Sequence, residues 1–153
     1  MADGAQEALD DRVRLRVFER LLDDWRAPSV IEIAADLRIT PQVAADSYRR
    51  LAERRRLVLR PGTMDILMAH PLSAVPTPFT VETHGRSYFG NCIWDALAII
   101  GMLGDTGRVI TSCGDGCGEA MTVTIAGGEP VDPQGIIHFQ VPRAHWWDDI
   151  VFT

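Results

Sequence analysis

Lysine is absent from this 153-residue sequence, and all 15 basic residues are arginine. With no side-chain primary amine, Schiff-base chemistry and the lysine of a phosphate loop are both excluded. Long apolar runs are missing too: the longest, Ala96 to Leu103, falls far short of the roughly 20 residues that span a bilayer. The acidic start Met1-Ala2-Asp3-Gly4-Ala5-Gln6-Glu7 has neither the basic region nor the apolar core of a secretory leader, so the expected location is cytoplasmic. Cysteine is scarce. Three cysteines, an odd number without framework spacing, point to reduced thiols rather than disulfides. Positive charge is in deficit, and the net charge of -6 opposes binding of the whole chain to a polyanion. What remains, 46% hydrophobic and 24% charged, suffices for one ordinary domain or two small ones.

The most informative stretch is Gly90-Asn91-Cys92-Ile93-Trp94-Asp95-Ala96-Leu97-Ala98-Ile99-Ile100. Its apolar spacing predicts a buried helix with Asn91 as N-cap and Cys92 in the first turn. Cys92 and Asp95, three apart, then share one helix face. Unpaired N–H groups and the helix dipole favour the Cys92 thiolate, the form that attacks electrophiles and binds metals. Burial beside Asp95 acts in the opposite sense and leaves the pair holding a proton. One reading is a soft nucleophile beside a proton donor. The other is a small buried hydrophobe beside a carboxylate that only complements the helix dipole.

Upstream, Leu9, Val13, Val17, Leu21 and Trp25 recur every four positions and predict an amphipathic helix over 7–25. Pro28-Ser29 opens a second helix at 30–37, and Thr40-Pro41 opens a third that runs through Arg55. Leu57–Arg60 and Met64–Met68, joined by Pro61-Gly62-Thr63, read as a hairpin. Three helices and a hairpin make a winged-helix-like domain over 1–70. Eight arginines lie between Arg26 and Arg60 against Glu32, Asp36, Asp46 and Glu53, which makes DNA a secondary candidate partner. The alternative is a covering domain whose arginines form a solvated face.

The proline-rich stretch 71–78 is expected to be a linker, with His70 a linker residue beside it. From 79 to 153 a mixed β-sheet domain with one central helix is expected, so the fold class is α+β. A hairpin at 79–89, with His84 in its turn, leads into the Cys92 helix, and strands follow at 108–112 and 120–125. Cys113 and Cys117 in the intervening turn have the look of half a zinc site, but no second ligand pair follows. Residues 129–135 read as a turn. Strands are expected at 136–142, with His138 as a sheet residue, and from Ile150 onward.

With these pieces in order, the chain from about Arg12 to Thr153 resembles the alkylmercury (organomercurial) lyase family. The resemblance rests on the winged-helix-like start, Pro76-Thr77-Pro78, Cys92-x-x-Asp95, the strand and turn from Arg108 to Cys113, and Glu129-Pro130-Val131-Asp132-Pro133-Gln134-Gly135. It implies protonolysis of a carbon–mercury bond, with Cys92 ligating the soft metal and Asp95 relaying a proton. Mercury is then substrate and product metal, and no cofactor is obligatory. Cys113 matches a family cysteine of structural role. No cysteine stands at Trp146-Trp147-Asp148-Asp149, where the resemblance puts the second catalytic cysteine. An external thiol, Cys113, Cys117 or the oxygen ligand Asp148 then remain as further metal ligands beside Cys92 and Asp95. The competing expectation is a protein on the same fold that binds soft metals or thiol-reactive compounds, or a winged-helix regulator, without lyase activity.

Overall fold

The structure is a computed structural model that describes residues 2–114, 117–132 and 135–151. Three helices open the chain: α1 Ala2–Asp24, α2 Val30–Leu37 and α3 Pro41–Glu53. On α1 the four-residue rhythm buries Val13, Val17 and Leu21. The rhythm stops one residue short of the expectation, because Trp25 adopts φ +61 and is 63% exposed rather than joining the buried face. The Ser29 hydroxyl caps α2 at the Glu32 N–H, and the Glu32 carboxylate returns the bond to the Ser29 N–H at 2.8 Å. Thr40 caps α3 with Pro41 in the first turn, as the sequence implies, and the helix ends at Glu53, two residues earlier than expected.

A buried ion pair ties α1 to α3. Asp10 accepts from the Ser47 hydroxyl at 2.6 Å and from Arg50 at 2.6 and 2.9 Å. Burial penalises its charge, but the hydrogen bonds from Arg50 and Ser47 outweigh that and hold its carboxyl below the usual range.

Strands β1 Val58–Leu59 and β2 Ile66–Ala69 form the expected hairpin. The chain then departs from a simple connector. Leu72–Ser73, inside the proline-rich stretch, forms β3 on the far edge of β2, and Leu72 bridges to Gly90. The second sheet comprises β4 Thr80–Thr83, β5 Arg86–Phe89, β6 Gly107–Ser112, β7 Ala120–Ala126 and β8 Glu129–Pro130, in the order β5-β4-β6-β7-β8. Each pairing in it is antiparallel, so the sheet expected to be mixed is not. The reason is local: β4–β5 and β7–β8 are joined by two-residue turns, which only antiparallel neighbours allow, and α4 delivers β6 beside β4 in the opposite sense.

Helix α4, Ile93–Leu103, packs on β4 and β6. Its residues Ala96, Ile99 and Ile100 share the core with Val81 and Val109. Gly90 makes the approach possible: a Cβ there would lie 2.6–2.9 Å from the backbone and methyl of Ala96. No larger residue leaves the chain room to turn into the helix.

After β8 two expected strands are missing among the described residues. Residues 136–142 are irregular, Arg143–His145 is a single 3-10 turn, and Ile150 and Val151 lie in a turn; Phe152 and Thr153 fall outside the described residues. The alternation at 136–141 anticipates a ladder with one buried face. No neighbouring strand supplies that ladder. Instead Phe139 meets Trp94 and Trp146, at ring-centroid separations of 6.2 and 5.2 Å, and Ile136 is 94% exposed. Ring packing, not strand pairing, organises this segment.

Candidate active site around Cys92 and Asp95

The α4 N-terminus differs from the sequence reading by one residue, and the shift matters. Cys92, not Asn91, is the N-cap, with extended backbone (φ -147, ψ -179) and its carbonyl accepting from the Ala96 N–H at 2.9 Å. Asn91 is freed for other work. Its Nδ2 donates to Asp95 Oδ2 at 2.9 Å and to the Pro71 carbonyl at 3.1 Å. His70 Nδ1 lies 3.3 Å from the same Asp95 oxygen. The residue taken for part of a linker therefore belongs to the polar centre, because β3 folds back and brings the end of β2 against the helix start.

Cys92 and Asp95 line one cavity of about 310 Å³. His70, Asn91 and Arg143 add polar groups to its wall, while Met68, Trp94, Phe139, Trp146, Trp147, Ile150 and Val151 make the rest apolar. An adjoining cavity of about 350 Å³ shares Cys92 and includes His138. His138 is thus not a sheet residue; it sits exposed on the irregular segment. His84, by contrast, occupies the β4–β5 turn as expected, with φ +49.

Burial is the main influence on the Cys92 thiol and pushes it above its ordinary value of 9.0. The N–H groups of Asp95 and Trp94 face the sulfur and act in the opposite sense, although they fall short of a capping hydrogen bond, and the Asp95 charge adds to the upward push. The resting group is a thiol at neutral pH, so alkylation should be slow there. In a protein with Cys113 and Cys117 replaced by serine, the iodoacetamide rate at Cys92 should keep rising past pH 9. At pH 7 it should be about a hundredfold or more below its plateau. Mass spectrometry of the modified peptide against pH checks this. A plateau reached by pH 8 would contradict it.

The remaining sequence candidates stand apart. Cys113 and Cys117 lie in the connection between β6 and β7, and neither lines the cavity. Asp148 pairs with His145 at 2.9 Å, both well exposed. Among the described residues no group of three or more His, Cys, Asp or Glu side chains is placed to hold a metal ion. Four of the eight arginines between Arg26 and Arg60 are engaged in ion pairs within the chain: Arg26 with Glu32, Arg49 with Asp46, and Arg50 and Arg54 with Asp10. Arg55 lies 5.0 Å over the Trp147 ring, tying the wall of the cavity to the end of α3. Among the described residues no helix is long and apolar enough to cross a membrane.

Of the missed groups, Asn91 had a signal, since four residues separate it from Asp95 and a helical start would stack them. His70 had none within its own segment.

Residues 72–153, more than half of the chain and the whole stretch from β3 to the end of the cavity wall, match the alkylmercury lyase (MerB) family. The chain belongs to the alkylmercury lyase family. Among solved structures it is similar to the mercury-bound form of MerB2, with a TM-score of 0.65 and 21% identity over 80% of this chain. At that identity the likeness speaks for the fold, an α+β arrangement of four helices and two antiparallel sheets. The chain spans 58% of the length of that MerB2 chain. No curated protein matches the sequence. The alkylmercury lyase match begins just after His70, so α1–α3 and the β1–β2 hairpin lie outside it.

Proposed function

We propose that this chain cleaves the carbon–mercury bond of organomercurials by protonolysis, with Cys92 as thiolate ligand and Asp95 as proton donor. The observation that carries the reading is that Cys92 and Asp95 line one largely apolar cavity in a member of this family. A soft thiolate suits mercury, and an apolar wall suits the organic group.

The steps balance on these two side chains. Cys92 loses its proton as sulfur binds RHg⁺, and that proton passes to Asp95. The carboxyl then delivers it to carbon, the carbon–mercury electron pair becomes the new C–H bond, and R–H leaves. Hg(II) stays on the Cys92 sulfur with the Asp95 carboxylate beside it, until two thiols from solution carry it away. The raised thiol pKa keeps that proton available for transfer. Around this site the chain divides into a winged-helix-like domain over 1–70, a connecting stretch over 71–78 that carries β3, and the catalytic domain over 79–153. The winged-helix part is supported by α1–α3 followed by the β1–β2 hairpin.

The test is hydrocarbon release from methyl- or phenylmercury in excess thiol, measured by gas chromatography. Release above the thiol-only control is expected. If the protein adds nothing to that control, the lyase reading fails, and a binding protein for soft metals or thiol-reactive compounds takes its place.

A further inference from the structure

Asp95 has two carboxyl oxygens, and the chain treats them differently. Oδ2 meets Asn91 Nδ2 at 2.9 Å and His70 Nδ1 at 3.3 Å. Oδ1 accepts no hydrogen bond from the described residues, and Asp95 lines the cavity that holds Cys92. The orientation of Asn91 follows from its other partner. A carbonyl only accepts, so the Pro71 oxygen at 3.1 Å requires the amide nitrogen to face it, and the two amide hydrogens are then committed to Pro71 and Asp95. Nothing is left on Asn91 to donate to His70 Nδ1, 3.5 Å away. The contact between His70 and an ionised Asp95 therefore requires the hydrogen on Nδ1. Its Nε2 is buried and meets no partner among the described residues, so the polar engagement of the ring is with Asp95. The Trp147 ring, 5.9 Å away at an interplanar angle of 69°, packs against the imidazole and helps hold it in place.

Resting on the lyase reading, we infer that His70 and Asn91 form a two-donor clamp on Asp95 Oδ2 that leaves Oδ1 as the oxygen that takes and delivers the proton. An oxygen that accepts from two donors is a poor site for a proton, so the transferable hydrogen resides on the other oxygen. Fixing the carboxyl also fixes the direction in which that hydrogen points, and proton transfer is sensitive to such alignment. His70 acts here through Asp95, as a positioning residue; because it also lines the cavity, the test below reads capture separately from release. The sequence does not show this, because 25 residues separate His70 from Asp95.

Two substitutions separate positioning from packing. His70→Phe keeps a ring against Trp147 and removes the donor, whereas His70→Asn keeps a donor near Nδ1 and removes the ring. Capture of phenylmercury by Cys92, read as adduct mass in single turnover, and hydrocarbon release, read by gas chromatography, are followed in both variants after circular dichroism confirms the fold. The clamp predicts that His70→Phe captures the mercurial as the wild type does but releases hydrocarbon about 10- to 100-fold more slowly. His70→Asn should recover to within about fivefold of the wild type. Equal release by His70→Phe and wild type, or equal losses in both variants, overturns the clamp. So does a loss of capture that matches the loss of release, because that is the mark of a packing role. If the wild type itself releases no hydrocarbon, the lyase reading falls and takes the clamp with it, an outcome distinct from the others.

Discussion

Cys92→Ser is expected to bring hydrocarbon release down to the thiol-only background and to abolish the mercurial adduct at this site. The substitution is nearly isosteric, so the α4 start should survive it: the N-cap role uses the Cys92 carbonyl, and the sulfur makes no capping hydrogen bond. What changes is the chemistry of the donor. A serine hydroxyl is a hard oxygen that stays protonated at every working pH, and it competes poorly for a soft metal against the thiol in solution. The measurement is release from phenylmercury together with intact-protein mass, in a background where Cys113 and Cys117 are serine so that other sulfurs do not mask the loss. Persistent release from Cys92→Ser in that background would move the reaction away from α4 altogether.

For Asp95→Asn the expected result is dissociation of two steps that Cys92→Ser removes together. The adduct on Cys92 should still form, because the sulfur and the apolar wall are intact. Release should drop about 10²- to 10⁴-fold, the usual range for loss of a positioned acid. Asparagine keeps the size of the side chain and an oxygen for Asn91 to donate to, so a packing defect does not explain a loss confined to release. Single-turnover mass spectrometry beside gas chromatography reads both steps on one sample. Release within about threefold of the wild type would show that the proton reaches carbon by another route.

Much of this site was legible before folding. Cys92 and Asp95 sit three apart at the head of an apolar helix; Cys92 is its extended N-cap rather than a first-turn residue, yet both residues line one cavity. Helix ends were legible to within a residue or two wherever a capping residue marks them, as at Ser29 and Thr40. At α4 the signal was ambiguous, because Asn91 and Cys92 both precede the apolar run. Asn91 loses the cap because its amide is drawn to Pro71 and Asp95. The C-terminal region misled for a different reason. Alternating apolar residues at 136–141 carry no information about whether a strand lies alongside, and here aromatic rings from Trp94 and Trp146 receive Phe139 instead.

The sequence by itself determined the local things: the helices, the hairpins, and the nearness of the thiol and carboxyl at the head of α4. Those depend on neighbours within a few positions, where the 3.6-residue and two-residue periods and the capping chemistry decide. Only the tertiary structure decided that His70 reaches Asp95, that Trp147 spans from His70 to Arg55, and that an irregular aromatic segment walls the cavity. Each of these joins residues far apart in the chain. Such contacts are set by how β3 folds back on β2 and how α4 seats on β4 and β6, not by any spacing that can be read along the chain.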